Sequence, residues 1–336
     1  MISSWNVCFW RGGAPDWMNL FMPHGEHKGR LTGMILLLSA SIVWGVAFVA
    51  QSAGMAYMGP FTFTAVRSAI AALGLWGLVA LFDRLGLSPK NTDKKLLWRA
   101  GLILGVVMTI ASNLQQIGLV TTSAGKSGFI TSLYIVFVPI FGLFIKRRPH
   151  PMLWACVVLA AVGLYFLSIR GDFSMSLGDL SVLGCAVVFT FQILLVDHYA
   201  PKVDIMRLNC IQFTVMALLS AIPMALFEEP KLNSILDSWV TIVYAGLFSG
   251  CVAYSLQMFG QRRVEPTTAS LLLSLEAVFS AIAGWLILGQ VLEGRELLGC
   301  GLVFAAVVAS QLPWQKLFSV KARGAAKAPV SAQEQQ

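Results

Sequence analysis

Glu276 stands in Ala269-Ser-Leu-Leu-Leu-Ser-Leu-Glu276-Ala-Val-Phe, a run with no other charge. A carboxyl group in such a setting can contact a substrate amine or carry a proton. The other reading is a hydrogen-bonded glutamate that ties one helix to the next. Arg67 interrupts a second apolar run, Phe61-Thr-Phe-Thr-Ala-Val-Arg67-Ser-Ala. Its guanidinium matches a substrate carboxylate in two-point geometry, or it staples helices through Asn113 or Gln116. Lys126 is a third cation beside apolar sequence, where a lysine can snorkel to water. Gln51, Gln115, Gln116, Gln192 and Gln257 are amides in otherwise apolar stretches. They either line the gates of a pathway or bond helix to helix, the latter worth only about 0.6–2 kcal/mol each. Trp44 and Tyr134 are candidate pocket walls among aromatics that otherwise suit interface anchors.

These residues need elements to position them, and the composition says in what solvent. Hydrophobic residues make up 57% of the 336 and charged residues 12%, against about 45–50% and about 25% in soluble domains. That excludes an ordinary cytosolic enzyme, a disordered chain and a coiled coil. It predicts an all-α polytopic membrane protein, because backbone in lipid must satisfy itself as helix. Ten segments have about the length a bilayer requires. They run near 31–52, 60–82, 97–117, 124–145, 151–169, 177–196, 208–227, 238–258, 267–289 and 294–314, here spans 1 to 10. Glu276 then lies roughly 14 Å into span 9, near the midplane, and Arg67 roughly 10 Å into span 2.

Lysines and arginines set the orientation. With the N-terminus in the cytoplasm, 19 basic residues fall inside and 4 outside (Lys126, Arg170, Lys231 and Arg295). The net charge of +8 is therefore an orientation signal, and nucleic acid is not an expected partner. In this topology Gln51, Gln115 and Gln116 stand near outer ends of spans. Gln192 and Gln257 stand near inner ends.

The chain repeats itself. Shifted by 142 positions, residues 112–145 align with 254–287 without a gap and share ten identities in 34. Composition alone accounts for roughly three or four. Gln115 falls on Gln257, Ser132 on Ser274 and Tyr134 on Glu276. Val46–Gln51 matches Val187–Gln192 one position out of that register, and Gln212 pairs weakly with Arg67. Spans 1–5 and 6–10 thus read as two copies of one unit. Five is odd, so the second copy enters the membrane inverted, the architecture of alternating-access carriers with a midplane site. Gly101-x-x-x-Gly105 and Gly246-x-x-x-Gly250 are read as corresponding close-packing faces of spans 3 and 8. Pro139 and Pro223 are read as bends in spans 4 and 7.

At these residues the chain resembles the drug/metabolite transporter superfamily, in its ten-helix EamA-type branch. The resemblance covers nearly all of 34–314. It rests on Trp44-Gly45-Val-Ala-Phe48, Pro60…Arg67-Ser-Ala, Thr122-Ser-Ala124…Ser132…Pro139 and Pro266-Thr-Thr-Ala…Ser274-Leu-Glu276-Ala-Val-Phe279…Gly284-Trp-Leu-Ile-Leu-Gly289. It implies a bacterial inner-membrane carrier, often an exporter of amino acids or related metabolites. The sequence departs from the family where spans 4 and 9 often end in Gly-Glu. Here they end in Ile145-Lys-Arg-Arg148 and in Gly289-Gln290.

The expected organisation is a cytoplasmic segment at 1–30, repeats at 31–170 and 177–314, and a disordered cytoplasmic tail at 315–336. Residues 1–30 lack a secretory pattern, Pro15, Asp16 and Pro23 interrupting them. A start at Met22 or Met34 is the alternative. The expected partners are a small-molecule substrate, the lipid bilayer and a proton or solute counter-ion, with a homodimer left open. No metal or cofactor is expected. The six cysteines form no C-x-x-C pair, His24 and His27 are isolated, and no phosphate-binding G-x-x-x-x-G-K motif occurs. The rival readings are an intramembrane enzyme and a receptor or scaffold. Gly125-Lys-Ser127-Gly128 is similar to the rhomboid protease motif. All four histidines fall on the cytoplasmic side in this topology and Ser127 on the other, whereas nucleophile and base must sit within about 3 Å.

Overall fold

The computed structural model describes residues 26–86, 89, 93–146, 149–168, 176–289 and 293–312. His24, Arg148, Gln290 and the tail after Leu312 lie outside them. Among the described residues the chain is helical throughout, without strands.

The first copy comprises span 1 (Glu26–Gly54), span 2 (Pro60–Arg84), span 3 (Lys94–Leu119), span 4 in two pieces (Ala124–Ser132 and Tyr134–Phe144) and span 5 (Pro151–Ser168). The second comprises span 6 (Leu177–Tyr199), span 7 (Ile205–Phe227), span 8 (Trp239–Gln261), span 9 in two pieces (Pro266–Leu273 and Leu275–Leu288) and span 10 (Gly294–Ser310). Eight of the ten are long and apolar enough to cross a membrane. Span 5 is a shorter apolar helix, and span 10 carries Arg295 and Glu296 in its first turn. The helix starts follow local chemistry. Asp93, Ser123 and Asp204 accept bonds from the free amides of spans 3, 4 and 7, and Ser176 with Asp179 forms a capping box on span 6. Spans 2 and 9 begin on Pro60 and Pro266, whose missing N–H costs nothing in a first turn.

The packing obeys a twofold rule. Span 2 packs on span 7 and span 5 on span 10, each a helix against its own counterpart. Span 1 packs on spans 8 and 9, and span 6 on spans 3 and 4. Glu228, just past the end of span 7, bonds to the start of span 2, while Asp83 near the end of span 2 bonds to Arg207 at the start of span 7. Counterpart helices therefore lie side by side and antiparallel, so the repeats are inverted. Glycines permit the closest approaches. A methyl group on Gly299 would meet the backbone of Leu167 and Gly163, and one on Gly45 would meet Phe279. Large apolar side chains such as Leu73, Phe144 and Leu226 stay outside, as expected where the solvent is lipid.

Two sequence expectations change. The break in span 4 falls at Leu133, not Pro139, and span 9 breaks at Ser274 with no proline near it. Span 7 runs unbroken through Pro223. At each break a three-residue hydrogen bond replaces the helical pattern, Val136 N to Leu133 O and Ala277 N to Ser274 O, so tight turns split these helices. The second change concerns the glycine pairs. Gly105 faces the carbonyl of Gln212 and Gly246 that of Arg67. The residue matched to Gly105 is thus Gly246, one turn from the expected pairing with Gly250. From Gly105 to Gln115 is ten positions; from Gly246 to Gln257 is eleven. The extra residue lies where span 8 is a π-helix, Tyr244–Ala253, the form by which a helix accommodates an insertion.

Candidate functional site

The repeats line a cavity with about 460 Å³ of atom-free space, part of it open to solvent. Its walls come from spans 1, 2, 3, 4, 6, 8 and 9. Eight of the residues singled out from sequence line it: Trp44, Gln51, Arg67, Gln115, Tyr134, Gln192, Gln257 and Glu276. Glu276 is 4% exposed, and Tyr134 Oη donates to its Oε1 at 3.0 Å. Both sit in the first turn of the half-helices that start after the breaks.

Arg67 is the cationic counterpart. Its side chain is buried, its Nε has no hydrogen-bond partner, and its guanidinium lies 6.0 Å from the Phe63 ring centroid. No ion pair joins it to Glu276 or to any other carboxylate among the described residues. Tyr254 lines the cavity with Arg67 and Glu276. It packs on Trp44 at 4.7 Å and on Phe213 at 5.2 Å between ring centroids. Trp44 Nε1 and Gln51 Oε1 are likewise buried without partners.

Four of the five glutamines meet on one cavity. Gln192 and Gln257 exchange amide bonds at 3.4 and 3.0 Å, and Gln115 donates to Thr131 Oγ1 at 3.3 Å, all on the same cavity. The packing of spans 1, 3, 6 and 8 brings four amides from both copies to one space. Three expected residues lie outside the lining. Gln116 donates to the Gln51 carbonyl at 3.3 Å, and Asn113 donates to Ser220 Oγ at 2.9 Å and to the Thr109 carbonyl at 2.8 Å. Neither staples Arg67. Lys126 pairs with Asp179 at 2.6 Å, joining the start of span 4 to that of span 6.

Sequence reading missed Tyr254, Phe48 and Phe189 on the cavity wall. For Tyr254 a signal existed: it stands three residues before Gln257, on the same helical face. No metal-binding group of three or more His, Cys, Asp or Glu occurs among the described residues. Ser127 Oγ has no hydrogen-bond partner, while His150 accepts from Met152 N and His198 contacts Lys202. No serine–histidine pair therefore forms among the described residues.

An antiparallel pair of five-helix repeats around a polar cavity defines a membrane transporter. Residues 31–169 and 176–310 match the model of the EamA-like transporter family, and the chain belongs to that family. It is 29% identical over 289 residues to an uncharacterized transporter of Archaeoglobus fulgidus, covering 84% of this chain and 87% of that one. It is 25% identical over 295 residues to the threonine/homoserine exporter RhtA of Escherichia coli K12, covering 86% and 94%. A solved crystal structure at 19% identity superposes with a TM-score of 0.70, covering 86% of this chain and 99% of that one, and shares the fold.

Proposed function

We propose that this chain is a secondary transporter of the bacterial inner membrane, exporting a small zwitterionic metabolite such as an amino acid by alternating access. The observation that carries this reading is the charge arrangement of the cavity. It holds a buried guanidinium without a carboxylate partner and a buried carboxyl group, with no ion pair between them. A zwitterion supplies the missing partner to each, its carboxylate at Arg67 and its ammonium at Glu276. A buried charge without a partner is costly, so the substrate completes the site. Trp44, Phe48 and Phe189 offer apolar surface to its side chain. The relative named as a threonine/homoserine exporter supports the substrate class, and the lysine and arginine bias supports two cytoplasmic termini. A proton at Glu276, exchanged against the substrate ammonium, is the proposed counter-ion.

The test is efflux of preloaded radiolabelled threonine from cells with and without the chain. Faster efflux with the chain is expected, slowed by excess neutral amino acids but not by amines lacking a carboxylate. Equal efflux for threonine and for a panel of other amino acids would end the amino-acid reading.

A further inference from the structure

Spans 2 and 7 are joined at both ends, and the two joints occupy equivalent positions. Gly59, Phe61, Thr62 and Asp83 stand 145 positions before Asp204, Met206, Arg207 and Glu228. At one end Glu228 accepts from Phe61 N at 2.9 Å, from Thr62 N at 2.7 Å and from Thr62 Oγ1 at 2.6 Å. At the other end Arg207 Nη2 donates to Asp83 at 2.8 and 2.9 Å. Each joint puts an acid from the end of one helix against the start of its counterpart.

The chemistry of the two joints differs. The amides of Met206 and Arg207 are already satisfied by Asp204 within span 7 itself. Asp83 meets the Arg207 side chain there, and both partners are more than a third exposed. Span 2 begins on Gly59, which has no side chain to cap with. Glu228 fills that place from span 7, and its carboxylate lies where a Cβ on Gly59 would stand. Separating this second joint strips two backbone amides of their partner as well as a buried hydroxyl. Separating the first exposes charges already half in water, whose attraction is weak.

We propose that these joints are the two latches of the transport cycle and that they are unequal. The Glu228 latch closes the outer side firmly, and the Asp83 latch closes the cytoplasmic side loosely. The proposal rests on the alternating access and orientation set out above. Unequal latches bias the empty carrier to open toward the cytoplasm, which suits loading for export. Substrate binding then has to shift the balance toward the outer opening.

Ser249→Cys places a thiol on the cavity wall, read by a membrane-impermeant maleimide added to intact cells expressing the full chain. Slow labelling is expected with both latches native. Glu228→Gln should raise the rate about tenfold, the factor that one lost charge-assisted bond makes in an equilibrium. Gly59→Asp should do the same by another route, expelling the Glu228 carboxylate while capping span 2 as Asp204 caps span 7. It keeps the test alive if Glu228→Gln fails to reach the membrane. Asp83→Asn should not raise outside labelling, because the outward-open form keeps the Asp83 latch closed. Unchanged labelling in the Glu228 and Gly59 variants, or a rise with Asp83→Asn instead, overturns the proposal. The labelling needs no substrate. An absence of threonine efflux beside the expected labelling would refute the substrate and leave the latches standing.

Discussion

Tyr134 and Glu276 are joined by a 3.0 Å hydrogen bond and are also counterparts, 142 positions apart, in the two inverted repeats. Residues related by a twofold axis can touch only beside that axis. Their contact therefore marks where the two copies meet, and it lies on the cavity wall. An axial position cannot hold two like acids without repulsion. A phenol opposite a carboxyl group gives one donor and one acceptor, which breaks the symmetry favourably.

Glu276→Gln tests the carboxyl group itself. The amide keeps the shape and can still accept from Tyr134, so membrane insertion and yield should match the native chain. Efflux should fall by at least tenfold, and a pH gradient imposed across vesicles should no longer change it. Normal flux in this variant across pH 6 to 8 would leave Glu276 a structural residue.

Arg67→Gln should separate the ends of the substrate. It removes the charge that a carboxylate would meet, a loss of about 1.5–3 kcal/mol for a charged hydrogen bond, or roughly ten- to a hundredfold in apparent affinity for an amino acid. Arg67→Lys restores charge without the two-point fork and should recover only part of it. Competition binding to purified protein reads both. Equal affinity of native and Gln forms would exclude Arg67 from the site.

Tyr254→Phe keeps the ring packing on Trp44 and Phe213 but deletes a hydroxyl from the wall that Arg67 and Glu276 share. The expected result is a change in the ranking of competing amino acids with little loss of thermal stability. A change in melting temperature with no change in ranking would make Tyr254 a packing residue.

Gly299→Val probes the contact between spans 5 and 10. Its Cβ would come within 2.5 Å of the Leu167 backbone amide, and overpacking of this kind costs about 1–3 kcal/mol or more. A clearly lower melting temperature in detergent is expected, whereas Gly301→Val, with open space beside it, should melt like the native chain.

Reporter fusions check the orientation. Fusions after Lys95 and Lys202 should read cytoplasmic and one near Lys231 periplasmic. A cytoplasmic reading at Lys231 would overturn the assigned topology.

The sequence by itself determined the solvent, the ten spans and the repeat. Each of these is written along the chain: apolar length, the shift of 142 that puts Gln115 on Gln257, and the odd number of spans per copy. It also selected most of the cavity wall, because a polar residue in an apolar run is costly wherever it ends up. What it left open were relations across the bundle. Matched depth put Tyr134 and Glu276 at one level, but only the packing of spans 4 and 9 around the axis put them in contact. Lys126 and Arg67 look alike as cations in apolar sequence, and tertiary structure alone gave one an aspartate and the other a place on the cavity wall. The joints between spans 2 and 7 were hidden for a further reason. Their equivalent positions hold different residue types, Gly59 against Asp204 and Thr62 against Arg207, so self-comparison finds no identity there. The one-residue insertion in span 8 escaped for a different reason. A π-helix changes spacing without changing composition, and only the carbonyls that face Gly105 and Gly246 fix which glycine matches which.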